Sequence, residues 1–276
     1  MPEGDTVWLT ARRLHDALAG STLTRSDFRV PQLATVDLSG RTVNEVLSRG
    51  KHLLARIGSD LTLHTHLRMD GSWHLYRPGQ RWRGGPQWQV RVVLETGGWH
   101  AVGYRLPVVE LLARDEEASA VGHLGPDLLG PDWDPAEALR RLAAEPDREL
   151  GPALLDQRNL AGIGNLYQVE VCFLTGVTPW TPVADVPDLA AVMALAKSLL
   201  EANKASPAQV TTGDRGRHGS RDERQWVYGR AGRPCRRCGA VVASAEQGTP
   251  PHQRRSYWCP GCQAGPAPGS PAHGAT

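Results

Sequence analysis

Lysine is nearly absent from this chain, with three residues in 276. Arginine therefore carries almost all of the positive charge, and Lys51 does not read as one more generic surface cation. Long apolar runs are missing too. None approaches the roughly 20 residues a membrane-spanning helix requires, which excludes a helical anchor. The opening residues carry acids rather than a basic stretch and an apolar run, so no secretory leader is expected. There is no internal repeat, which excludes a solenoid or array. The reading that follows is a soluble protein of a reducing cytoplasm with no membrane partner.

Cysteine is also scarce, and its placement is informative. Four of the five cysteines form two Cys-x-x-Cys knuckles, Cys235/Cys238 and Cys259/Cys262. Paired knuckles at this spacing direct four sulfurs to one point, as a structural Zn²⁺ site requires. Two disulfides are the alternative, and a reducing compartment disfavours them. The fifth, Cys172, sits on an apolar helix and reads as a buried free thiol. Between Thr211 and Cys262 stand ten arginines, no lysine and four acids, a net +6, while the rest of the chain sums to −4. The overall +2 thus hides a basic patch around the expected metal module, an electrostatic footprint for phosphate.

The length suits about two domains plus an appendage. Asp5 to Ala19 reads as a helix, with Val7, Ala11, Leu14 and Leu18 on one face and Gly20 as its stop. From Leu23 to about Leu112 the pattern becomes short period-two runs, such as Leu61–Thr65 and Val90–Leu94. Turn signals separate them, which points to an antiparallel sandwich or barrel. Gly122 to Asp134, rich in Gly, Pro and Asp, reads as a linker. Asp134-Pro-Ala-Glu137 is a capping box with Pro at the first helical position. Further helices are expected over Glu149–Gln157, Asn165–Leu174 and Asp188–Asn203. Ala264 to Thr276, nearly all Ala, Gly, Pro and Ser, reads as a disordered tail. The expected class is α+β multidomain: a β-sandwich over residues 1–121, a linker over 122–134, a helical domain over 135–230, a zinc finger over 231–263 and a tail over 264–276.

Two local signals bear on chemistry. Leu160-Ala-Gly162-Ile-Gly164-Asn165 places two glycines before a helix start. Its backbone N–H groups are expected to point outward as a phosphate site, unless it is an ordinary helix corner. At the start, removal of Met1 before the small Pro2 would leave a free secondary amine. Such an amine attacks an electrophilic carbon and forms an iminium, and Glu3 beside it could move protons. The alternative is that Met-Pro-Glu is only a chain start.

Five motifs stand in order: Met1-Pro-Glu-Gly4, Arg49-Gly-Lys51, Leu160–Asn165, Val227-Tyr-Gly-Arg230 and the four-cysteine finger. Together they resemble the formamidopyrimidine-DNA glycosylase and endonuclease VIII family of base-excision repair, over nearly the whole chain. The resemblance implies an N-terminal β-sandwich, a helix-two-turn-helix domain and a zinc finger. It also implies roles. Pro2 is similar to the nucleophile that attacks C1′, Glu3 to the general acid/base, and Lys51 to the phosphate-binding lysine that supports β/δ-elimination. Asn165 resembles the turn residue that holds the DNA backbone, and Arg254 the finger arginine that grips phosphate. Met69 falls where the family places a wedge that fills the gap left by a flipped base; a core strand position is its alternative.

The chain departs from the pattern in two places. Asp5-Thr6 stands where relatives commonly have Pro-Glu, which puts the elimination step in question. Gly103-Tyr-Arg-Leu-Pro-Val108 lacks the Arg-Arg-Phe group of the guanine-directed branch. Gly4, the Trp73 strand and the Tyr257–Cys262 ending are closer to endonuclease VIII. The expected activity is a bifunctional glycosylase and abasic-site lyase on oxidised pyrimidines. Damaged duplex DNA is its partner, one structural Zn²⁺ its cofactor, and a monomer near the nucleoid its setting. Competing readings are a non-catalytic damaged-DNA-binding protein, an 8-oxoguanine-directed enzyme and a zinc-stapled protein-interaction module.

Overall fold

A computed structural model describes residues 2–213, 223–250 and 253–268. The chain divides into two compact units, Met1–His123 and Leu124–Thr276. Among the described residues no helix is long and apolar enough to cross a membrane.

The first unit opens with helix α1 (Gly4–Leu18), one residue earlier at each end than the periodicity predicts. Val7, Ala11, Leu14 and Leu18 are all buried on its apolar stripe. Gly20, at φ +75°, turns the chain away. Eight strands follow: β1 (Arg25–Phe28), β2 (Val43–Arg49), β3 (His52–Ile57), β4 (Leu61–His66), β5 (Ser72–Tyr76), β6 (Val90–Glu95), β7 (His100–Tyr104) and β8 (Val108–Ala113). They form two four-stranded antiparallel sheets, ordered β1-β6-β7-β5 and β2-β3-β4-β8. Phe28, Val92, Leu94 and Ala101 of one sheet meet Val46, Leu53, Ala55 and Leu63 of the other, with the α1 stripe in the same core. Each such buried side chain stabilises by about 1.5–3 kcal/mol. An exposed pair such as Arg12–Asp16 contributes about 0–1 kcal/mol, so apolar burial decides this fold.

The second face of the first sheet is covered as well. Val93 and Val102 pack there with Tyr76, Tyr104 and Trp82. Trp82 comes from the β5–β6 connection, which lies over that face. This explains why β6 is buried on both sides and does not simply alternate. A short helix α2 (Glu117–Val121) closes the unit, where Glu117 binds Arg56.

The second unit holds α3 (Pro135–Leu142), α4 (Leu150–Leu155), α5 (Asn165–Thr175) and α6 (Leu189–Asn203). A ribbon of β9 (Ala243–Gln247) and β10 (Arg254–Trp258) follows them. Only half of the capping box forms. The Asp134 carboxylate accepts from the N–H groups of Ala136 and Glu137, while the Glu137 carboxylate binds Arg140 and Arg141 instead of reaching back. The expected linker also needs correction. Leu128 is fully buried in the helical core, and Asp127 bridges to Ala161. Gly, Pro and Asp disguise a packed stretch there. The expected tail starts too early: Ala264 N–H donates to the Gly176 carbonyl, and Thr178 donates to the Pro266 carbonyl. Residues 269–276 of that tail lie outside the described residues.

Glu170, fully buried on α5, ties the helices to the ribbon's entry. Its carboxylate accepts from the backbone N–H groups of Trp226 (2.9 Å), Val227 (2.8 Å) and Tyr228 (2.8 Å), and from the Thr211 hydroxyl. Burial raises its pKa, and these four donors oppose that. Glu170→Gln points an amide N–H₂ at backbone donors. Urea unfolding should show a loss of about 2–4 kcal/mol. A loss under 1 kcal/mol would show that the four bonds are not what holds this segment.

Candidate active site and metal centre

In the first unit the site begins at the start of α1. Glu3 is the N-cap residue: its backbone is extended and its carbonyl accepts from Val7 N–H at 3.0 Å. The residue is only 1% exposed, although the partly exposed Pro2 precedes it. Asp5, also buried, lies in the first helical turn, where the helix dipole favours a carboxylate. Thr6 points its hydroxyl at Asp5 at 3.4 Å. Were Met1 removed, the Pro2 nitrogen would be a secondary amine next to a carboxyl shielded from bulk water, a pair suited to nucleophilic attack with proton transfer.

Lys51 stands at the tip of the β2–β3 hairpin. Arg49 pairs with His52, leaving Gly50 and Lys51 as a two-residue turn. Gly50 has φ +56°, as the first position of a type II′ turn requires.

Behind this tip lies a network that sequence reading missed. His52 Nδ1 is 2.8 Å from His64 Nε2, and His64 Nδ1 is 2.9 Å from Glu110 Oε2. A carboxylate only accepts, so His64 donates from Nδ1 to Glu110, and its Nε2 shares the remaining proton of this hydrogen-bond chain with His52 Nδ1. The rings of His66 and His123 stand edge-on to His52, at 4.8 and 6.2 Å. Burial lowers the His52 pKa to about 3, helped by His66, His64, His123 and Lys51. Burial, Arg68, Lys51 and His64 lower that of His66 to about 4. The available signal was His64-Thr-His66, two histidines on one face of a strand, but the register that adds His52 and Glu110 is not visible in sequence.

Met69 is 63% exposed at the tip of the β4–β5 loop, which settles against the core reading. Arg68 beside it has φ +46°. Gly71 closes the tip with an N–H to the Leu67 carbonyl at 2.8 Å. A Cβ on Gly71 would lie 2.6 Å from that oxygen, so the close approach needs glycine.

In the second unit the glycine turn is buried and not splayed outward. Gly162 N–H donates to Gln157 Oε1 at 3.1 Å, and Gln157 Nε2 donates to the Leu155 and Ile163 carbonyls. The Gln157 amide thus plugs the turn, which corrects the expected outward N–H at Gly162. Asn165, first residue of α5, donates from Nδ2 to the Arg255 carbonyl on the ribbon at 2.8 Å. Its Oδ1 is buried without a hydrogen-bond partner among the described residues. Arg254 is exposed on β10.

Several patch arginines serve the fold. Arg237 lies over the Phe173 ring at 4.6 Å, Arg255 pairs with Glu246, and the buried Arg230 donates to the Pro234 carbonyl. Arg215, Arg217 and Arg221 lie outside the described residues.

The four knuckle sulfurs all fall within 4.8 Å of one another. Cys235–Cys262 is 3.9 Å and Cys238–Cys259 is 3.4 Å. A tetrahedral Zn–S₄ site with bonds of about 2.3 Å needs sulfurs about 3.8 Å apart. The cysteines are free thiols rather than disulfides and fit a metal ion. Cys172 is buried, and burial lifts its thiol to about 12, so it is inert.

A sandwich whose leading helix starts at a buried glutamate, followed by a helical unit with a ribbon whose four cysteines could hold a metal ion, defines a class of two-unit proteins. Two family models match the chain: the formamidopyrimidine-DNA glycosylase N-terminal domain over residues 1–105, and the H2TH domain of the same family over residues 124–207. The chain is 64% identical over 270 residues to "Probable endonuclease 8 2" of Streptomyces coelicolor, covering 97% of this chain and 96% of that protein. It is 50% identical to "DNA-(apurinic or apyrimidinic site) lyase Nei2" of Mycolicibacterium smegmatis, covering 95% and 99%. A solved Lactococcus lactis Fpg, in complex with abasic-site DNA, superimposes with a TM-score of 0.77 at 23% identity, covering 95% of this chain and 99% of that one. That likeness shows the fold. The chain belongs to the formamidopyrimidine-DNA glycosylase and endonuclease VIII family, on the endonuclease VIII side.

The histidine pair makes stability depend on pH. Folded, His52 and His66 stay neutral down to about 3 and 4; unfolded, they protonate near 6.5. As pH falls below 6.5 the unfolded chain binds protons the native one refuses, so stability drops. The slope is at most about 1.4 kcal/mol per pH unit for each histidine. Urea titrations from pH 7 to pH 4.5 should show the decline, and a His52→Asn/His66→Asn double variant should flatten it. An equal slope in that variant would refute the assignment.

Proposed function

We propose that the chain is a bifunctional DNA glycosylase and abasic-site lyase of base-excision repair, directed first at oxidised pyrimidines. The observation that carries this is Glu3, a glutamate almost completely buried, directly after Pro2 at the start of α1. Removal of Met1 exposes the Pro2 amine. Its lone pair attacks C1′ of the damaged nucleotide, and the bond from C1′ to the base breaks as the base takes a proton. The sugar ring opens to a Pro2 iminium with the proton bookkeeping handled by Glu3. Lys51 at the hairpin tip binds phosphate and supports β/δ-elimination. Arg254 grips phosphate, Asn165 steadies the DNA backbone, and Met69 fills the gap left by the flipped base. Cys235, Cys238, Cys259 and Cys262 hold one structural Zn²⁺, closed to catalysis because all four positions are protein sulfur. The partner is damaged duplex DNA, bound by a monomer in the cytoplasm near the nucleoid. The relatives' endonuclease 8 and abasic-site lyase names support the same reading.

Borohydride should trap the protein on abasic DNA through residue 2, and metal analysis should find one zinc per chain. Glu3→Gln should lose excision of thymine glycol by about 100-fold or more while keeping more activity on preformed abasic sites. Trapping that persists in Pro2→Gly with a blocked amino terminus would sink the nucleophile. A strong preference for 8-oxoguanine opposite cytosine would sink the pyrimidine assignment.

A further inference from the structure

The β5–β6 connection has no part in the reading above. From Arg77 to Arg91 it carries four arginines, two tryptophans and no acid. A connection of this length is usually mobile, yet this one is bound along its course. The Tyr76 hydroxyl accepts from the N–H groups of Arg83 (3.0 Å) and Gly84 (2.9 Å). Trp82 packs into the outer cluster of the sheet. Gly84 lies so close to Tyr104 that a Cβ there would fall 2.5 Å from the ring.

The short turn Gln87–Gln89 is then clasped by three arginines. Arg29 donates to the Gln87 carbonyl at 3.4 Å and Arg91 to the Trp88 carbonyl at 2.9 Å. Arg105 donates its backbone N–H to the Gln89 carbonyl at 2.8 Å and its guanidinium to the Gln89 side chain. What this framework holds out is Trp88, 74% exposed, the most exposed large hydrophobic side chain among the described residues.

A single exposed tryptophan is ordinary; its connection to Met69 is not. Arg105 also donates from Nε to the Asp70 carbonyl at 3.0 Å. One guanidinium therefore braces the residue after Met69 and the residue after Trp88. Arg105 (φ +50°) and Arg68 (φ +46°) are the two non-glycine residues with positive φ among the described residues. Both flank this surface. Such backbone is strained and is held only where the surroundings over-determine it.

We propose that Trp88 is a second base-contacting side chain, stacking on a nucleobase of duplex DNA beside the gap that Met69 fills. The proposal rests on the glycosylase reading and extends it. The indole supplies a sequence-tolerant π-face, the exposed Arg81 and Arg83 supply attraction to phosphate, and the clasped turn removes the entropy cost of ordering the contact.

The test uses the full chain and a duplex with a non-cleavable tetrahydrofuran abasic analogue. The fluorescent base 2-aminopurine is placed opposite the analogue or at either neighbour of that position. Trp88→Ala should weaken duplex binding by about 5-fold or more and release the 2-aminopurine quench at one of the three positions. Trp88→Phe should restore most of both. Borohydride trapping on a single-stranded abasic oligonucleotide should match the unmodified protein, because that reaction needs only the Pro2 chemistry. Unchanged affinity, weaker binding with no fluorescence change, or equal loss on single strands would each overturn the proposal. So would a loss of self-association by light scattering with DNA affinity intact, which would assign the face to a second copy. If the unmodified protein fails to trap, the glycosylase reading falls, while the affinity and fluorescence comparison still decides Trp88.

Discussion

A carboxylate removed from water must be given donors, and the second unit is organised by that requirement at Glu170. Three consecutive backbone N–H groups and the Thr211 hydroxyl converge on it. The three amides can all be satisfied by one side chain only where the chain curls around it, so the buried acid holds the path of residues 226–228. That path places Val227 and Phe173 in one small core with Cys235 and Cys259. The cysteine knuckles are thus positioned from two sides, by the convergence of their four sulfurs and by a buried acid on α5. Asn165 adds a third restraint, reaching from the first turn of the same helix to the Arg255 carbonyl. A helix whose sequence looks merely apolar is the part on which the ribbon is hung.

The first unit solves a different problem, presentation. Each proposed chemical group there stands at a place where the chain reverses or begins: Pro2 and Glu3 at a helix start, Lys51 at a hairpin tip, Met69 at a loop tip. Sheet registers fix these tips to fractions of a residue step, because a one-residue slip would turn every core side chain outward. The histidine network strengthens that control. His52, next to Lys51, is held by His64 and through it by Glu110, so three strands share responsibility for one hairpin. His52 and His66, kept neutral by burial, add no positive charge around Lys51.

Legibility in sequence follows the range of the interaction. Helix α1 was legible from Val7, Ala11, Leu14 and Leu18, because an amphipathic stripe is a local property. Asp134-Pro135 and the cysteine knuckles were legible for the same reason. The site residues could be named from ordered motifs, but their surroundings could not. Glu170 is a lone acid in an apolar helix, and its four donors come from 41 to 58 residues away. Leu128 sits in a stretch whose Gly, Pro and Asp content signals a linker, and only the helical core it enters reveals its burial. The basic patch reads in sequence as one footprint, whereas Arg230, Arg237 and Arg255 engage a carbonyl, two rings and an acid.

Arginine-rich composition therefore has two meanings here, and geometry separates them. Guanidinium is planar, always charged and weakly hydrated, so it can bind carbonyls and rings within a fold as readily as phosphate outside it. Arg29, Arg91 and Arg105 illustrate the first use: the guanidinium groups of Arg29 and Arg91 end on the Gln87 and Trp88 carbonyls, and that of Arg105 on the Gln89 side chain and the Asp70 carbonyl at once, where lysine's single ammonium could not form the same planar, multi-donor clasp. A protein with three lysines has put its positive charge into the residue that both builds loops and attracts anions. The surface that results is rigid, cationic and tipped with two apolar side chains. A partner that is anionic along its backbone and apolar on its stacked faces matches all three properties at once, as the proposed damaged duplex would.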